Sequence, residues 1–152
     1  MKRNLKTMLG VTLLEIMLVL AIAAMVIVMS IRYYKAATVS QQSNAVLEQL
    51  QAITAGMDSL AQAQGTYANI STSAITAVVG GVLNMTTPWN TVIVISGQTA
   101  TTYNVKVPST PAGVCQSLLA KFNTTANSKV TTSSCASTTG AGDFTYTYDS
   151  TQ

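Results

Sequence analysis

The chain has 152 residues, 48% of them apolar and only 9% charged, and it contains no histidine. That length holds about one domain with a core of its own. The low charge argues against disorder, and the lack of histidine excludes Ser-His-Asp triads, His-ligated zinc and HExxH metalloproteases. The net charge of +3 is no nucleic-acid footprint, because Lys2, Arg3 and Lys6 supply three of the eight basic residues and the remaining five face five acidic ones.

Residues 1–10 read as a basic leader. From Val11 to Ile31 the chain runs VTLLEIMLVLAIAAMVIVMSI, without glycine or proline and with one charge, Glu15. As a helix this stretch spans about 30 Å, one bilayer core. The basic leader favours a cytoplasmic N-terminus, although Arg32 and Lys35 beyond the span weaken that asymmetry. A secretory signal ending at Ala21-Ile-Ala23 fits poorly, since the apolar run continues past it and Glu15 would lie inside the hydrophobic region. A lipoprotein signal needs a cysteine at the end of the run, and both cysteines lie far downstream. A plain signal anchor stays open but leaves Glu15 unexplained.

An acidic side chain inside a membrane helix costs a few kcal/mol and marks a functional position. No cation lies within the span to pair with it. A cut after Gly10 would create an amine at Val11, about 6 Å along the helix from Glu15. At about 4 Å and an effective dielectric of 20, such a pair is worth about 4 kcal/mol, enough to offset burial.

The leader, Leu9-Gly10, the tract Val11-Thr12-Leu13-Leu14-Glu15 and the apolar helix that follows resemble a type IV pilin precursor. The resemblance implies cleavage after Gly10 by a prepilin peptidase and N-methylation of Val11. It also implies storage in the inner membrane of a Gram-negative bacterium. An assembly platform and ATPase then build a helical homopolymer in which Glu15 neutralises the Val11 amine of a neighbour. The extracellular filament would serve adhesion, aggregation or DNA transfer, with a host or cell-surface receptor as a further partner. Pseudopilins of type II secretion share this N-terminus, so the motif places the superfamily and not the branch.

Beyond the span, Arg32-Tyr33-Tyr34-Lys35 is a cluster suited to headgroups. The pattern then turns amphipathic over residues 32–64. Val39, Val46, Leu50, Ile53, Met57 and Leu60 keep three- and four-residue spacing, with Ser43 as the polar step. This stripe predicts a continuation of the same helix, approaching about 80 Å in all. It ends near Gly65 and packs on a following sheet rather than in a coiled coil, with Gly56 weakening it modestly.

Residues 65–152 form the head. Ser73–Val79 predicts a short helix ended by Gly80-Gly81, and Thr91–Ile95 a short buried strand before a turn at Gly97-Gln98. Tyr103, Val105 and Val107 alternate with polar residues, as do Phe144, Tyr146 and Tyr148, which is the period of half-buried strands. Cys115, Leu118, Leu119 and Phe122 recur at helical spacing after Pro111. The order is long helix, short helix, two strands, helix, and one or two strands. The expected class is therefore α+β, a long N-terminal helix on a small antiparallel sheet, the layout of the type IV pilin fold.

Cys115 and Cys135, placed beyond the inner membrane, are expected to form a disulfide worth about 3 kcal/mol. The placement matches the disulfide-bounded C-terminal region of pilins, which pseudopilins commonly lack. Thr87-Pro88-Trp89-Asn90, Thr102-Tyr103-Asn104-Val105, Val107-Pro108 and Cys115-Gln-Ser-Leu118 also resemble type IVb pilins, the branch of toxin-coregulated and conjugative thin pili. The leader is short for that branch, and Val11 is not the phenylalanine typical of the other.

Asn69-Ile-Ser71, Asn84-Met-Thr86 and Asn123-Thr-Thr125 fit the N-glycosylation pattern by chance in so Thr/Ser/Asn-rich a chain. Asp143 and Asp149 are too few for a calcium loop and read as solvated strand ends. Trp89 reads as core, and Thr131–Gly142 as polar surface. No constellation supports catalysis, a metal or a cofactor. The expected function is a filament subunit, with a minor pilin or a type II secretion pseudopilin as the alternative.

Overall fold

The computed structural model describes residues 12–124, 129–137 and 139–151. Gly10 and Val11, the expected cleavage and methylation positions, lie outside the described residues. The chain divides into two units, Met1–Ala37 and Thr38–Gln152, and helix α1, Leu13–Gln64, contributes to both.

In the first unit α1 is apolar on every side from Ile16 to Met29. Its best 18-residue window has a mean hydropathy of 2.7 with none of it buried, so the helix is long and apolar enough to cross a membrane. In water such a surface is insoluble; it calls for lipid or for other helices.

In the second unit the amphipathic stripe becomes the core. Ser43, Val46, Leu50, Ile53, Gly56 and Met57 are buried, and each large apolar side chain among them contributes about 1.5–3 kcal/mol. Helix α1 ends at Gln64, with Gly65 at φ 77°. Helix α2, Thr72–Val79, starts one residue earlier than the spacing predicts, because the Ser71 hydroxyl accepts the Ala74 amide as its N-cap. It ends where Gly80 takes the left-handed conformation at φ 91°. A short 3-10 turn, Val82–Met85, follows.

The sheet contains β1 (Val94–Ser96), β2 (Thr102–Thr110), β3 (Val130–Cys135) and β4 (Gly142–Asp149) in the order β1-β2-β4-β3, antiparallel throughout. Tyr103 pairs with Tyr148, Val105 with Tyr146 and Val107 with Phe144, and all six are buried. The intervening Thr102, Asn104, Thr145 and Thr147 form the outer face. Helix α3, Ala112–Thr124, follows Pro111 and buries Val114, Cys115 and Leu118.

One sequence expectation changes. Thr91–Ile95 is not a fully buried strand, since Ile93 is buried while Val92 and Val94 are about half exposed. The segment lies at the sheet edge, where only one face is covered. Its first half turns back on residues 85–87, with the Ile93 amide donating to the Met85 carbonyl at 2.8 Å. Thr131–Gly142 is polar surface as expected, its described residues being exposed or partly exposed, and most of β3 runs through it. An edge strand needs only backbone pairing, which polar side chains permit.

Candidate assembly helix and head groove

At the start of α1 the Glu15 amide donates to the Thr12 carbonyl at 3.0 Å and to the Thr12 hydroxyl at 3.3 Å. Thr12-x-x-Glu15 is thus the signature of a capping box, and Glu15 sits in the first turn, where the helix dipole favours an anion. The capping here is done by the Thr12 hydroxyl on the Glu15 amide, a local contact the membrane argument did not consider. At the other end of the apolar segment, Tyr33 and Tyr34 are exposed.

Within the head, Cys115 and Cys135 are bonded, tying α3 to β3 across a Cα–Cα distance of 6.1 Å. Ser43, the polar step of the stripe, faces α3. It accepts from the Ser117 hydroxyl at 3.3 Å and the Lys121 ammonium at 3.5 Å, and donates to the Ser40 carbonyl at 3.0 Å. Lys121 also donates to the Asn44 side-chain oxygen.

Asp58 is the second polar anchor of α1. Its two carboxylate oxygens accept the Tyr67 phenol at 2.6 Å and the Tyr148 phenol at 3.0 Å. Tyr103 stacks on Tyr148 with ring centroids 4.8 Å apart and lies 5.2 Å from Tyr67. Burial first, then the Asp58 carboxylate, pushes the Tyr67 phenol up to about 12. The same two causes raise Tyr148, while Tyr103 and Tyr146 are raised chiefly by burial. Among the described residues the buried Tyr103 hydroxyl has no hydrogen-bond partner. The sequence showed Tyr103, Tyr146 and Tyr148 as strand periodicity and gave no sign that Tyr148 and Tyr67 meet at Asp58.

Beside this cluster a groove of about 280 Å³ opens between α1, α3, β3 and β4, lined by apolar side chains such as Leu47, Phe122 and Val130 and by polar ones such as Gln51, Asp58 and Lys121. Trp89 packs against the core with part of its surface exposed, and its indole N–H donates to the Pro108 carbonyl at 2.9 Å. Asp143 pairs with Lys106 at 2.7 Å and accepts the Ser109 amide, and these partners, Lys106 first, hold its carboxyl below the usual range. Asp149 serves Thr151 instead. Among the described residues no group of three metal-ligating side chains forms.

No family model, curated protein or solved structure matches this chain. The reading of its function therefore rests on its own residues and geometry.

Proposed function

We propose that the chain is the structural subunit of a type IV pilus filament, without catalysis of its own. It is processed after Gly10 by a prepilin peptidase, methylated at Val11, and assembled from the inner membrane into an extracellular homopolymer by the pilus platform and ATPase. One observation carries the reading: the apolar half of α1 is exposed on every side and carries a single charge, Glu15, in its first turn. In a filament core that excludes water, an unpaired Val11 amine costs several kcal/mol, and the carboxylate of a neighbouring copy removes that cost. The bonded Cys115–Cys135 pair favours a pilin over a pseudopilin.

The test compares wild type with Glu15→Ala. Intact mass of the sheared extracellular fraction should give a wild-type chain starting at Val11 with one added methyl. The alanine variant should be cut at the same bond, remain in the membrane and yield few or no fibres by electron microscopy. A mature chain starting after Ala23 contradicts the reading, and wild-type fibre yield from the variant contradicts the charge-pair mechanism.

A further inference from the structure

Every residue of α1 from Leu13 to Ala37 is exposed, and the helix first becomes partly buried at Thr38. Just before that change stand Arg32, Tyr33, Tyr34 and Lys35, the two phenols 81% and 70% exposed. At about 100° per residue, Arg32 and Lys35 fall about 60° apart on one side of the helix and about one turn apart along it, while the two tyrosines take the other side. Tyr33 and Tyr34 wall a shallow notch over Met29, Ser30 and Ala37. The Ser30 hydroxyl donates to the Val26 carbonyl at 2.8 Å, so this surface brings no unsatisfied donor to lipid.

The spacing to Glu15 decides what surrounds this collar. Glu15 and Arg32 are 17 residues apart, about 26 Å along the helix, and the hydrocarbon core of a bilayer is about 30 Å thick. Both side chains are long enough to snorkel, so they reach the two opposite boundaries together. No acidic residue lies between Glu15 and Glu48, and the collar gives that stretch of helix a net charge of +2. Basic residues on the translocated side run against the usual charge bias of membrane spans. A layer of anionic headgroups is the surroundings that suit them, because each Lys or Arg close to such a surface is attracted to it.

We propose that Arg32 and Lys35 form a site for the phosphate of an acidic phospholipid at the outer boundary of the membrane; the inference rests on the membrane span in the filament reading. Arg32 takes the phosphate through two parallel N–H donors, and Lys35 adds a point charge from one turn further on. Tyr33 and Tyr34 sit at the same level on the other side, with apolar rings toward the acyl chains and hydroxyls toward water. The occupant is a lipid rather than dissolved phosphate because the turn below the cations is apolar and exposed, and only a molecule with both a phosphate and acyl chains covers the two together. The site holds the subunit at one depth, with Glu15 at the inner boundary.

The test reconstitutes the full-length chain into phosphatidylcholine vesicles. The parent carries Lys2→Gln, Arg3→Gln and Lys6→Gln, so that only the outer boundary is read. Electron spin resonance should find spin-labelled phosphatidylglycerol enriched beside the protein at least about fivefold over spin-labelled phosphatidylcholine. Arg32→Gln with Lys35→Gln should bring the two labels within about twofold of each other, whereas Arg32→Lys with Lys35→Arg should keep the enrichment. Lys106→Gln, in the head, should leave it unchanged. At equal ionic strength, inorganic phosphate should compete no better than sodium chloride. An intact Cys115–Cys135 bond checks that each variant folds, and flotation with the vesicles checks the span. Equal association of both labels with the parent chain, enrichment that survives the glutamine pair, loss in the charge-conserving pair, an equal loss from Lys106→Gln or displacement by inorganic phosphate each overturns the site and leaves the filament reading standing. A chain that does not float with the vesicles overturns the span, and with it both readings.

Discussion

Asp58 shows how one residue can organise a head that has few charges. Its carboxylate collects two phenols, from the turn after α1 and from β4, and so ties the end of α1 to a strand 90 residues away. Four tyrosines around it hold their protons more tightly in the folded state than in the unfolded one. For such groups the unfolded chain binds fewer protons once pH exceeds about 10, so stability is level below that pH and falls above it. The fall is roughly 1.4 kcal/mol per pH unit for each proton still held by the folded state. Alkaline titration in detergent should show tyrosinate absorbance of these groups appearing together with loss of near-ultraviolet circular dichroism. Smooth ionisation of all tyrosines near pH 10, with the fold intact, contradicts the burial on which this expectation stands.

At the scale of elements, α1 was legible because one unbroken apolar run and one three-and-four stripe both have helical period. Gly56 reads in the sequence as a weak point in that helix, yet it is buried where α2 comes close. Gly56→Leu should cost about 1–3 kcal/mol by overpacking against Val78 and Val79. Gly56→Ala should be nearly neutral, because about 1 kcal/mol of helix propensity offsets the tight 3.2 Å contact. Thermal unfolding followed by circular dichroism measures both, and a leucine variant as stable as wild type would show that α2 is not seated on α1. Strand β3 stays open in the sequence, which allows one or two strands after α3, for the opposite reason. Its side chains follow no apolar alternation, so only its ladder with β4 defines it.

For the whole head, the Cys115–Cys135 bond replaces core that a small domain lacks, joining α3 to β3 across a separation of 20 residues. Replacing both cysteines with serine should remove about 3 kcal/mol. The thermal midpoint of the membrane-extracted subunit should fall, with hydrogen exchange rising first in α3 and β3. An unchanged midpoint would mean that packing of Val114, Leu118 and Phe144 suffices without the bond.

Sequence alone determined the long helix, its division into an apolar and an amphipathic part, the α+β class and the two central strands, because each depends on a local period of apolar residues. The single charge in the span was likewise a matter of composition. What only the tertiary structure decided were the relations between distant positions: Asp58 with Tyr67 and Tyr148, Ser43 with Ser117, Trp89 with Pro108, and the groove beside α1. Such polar pairs leave no periodic trace, since a hydroxyl or carboxylate finds its partner through packing geometry, and that geometry exists only after the apolar stripe and the sheet have closed on each other.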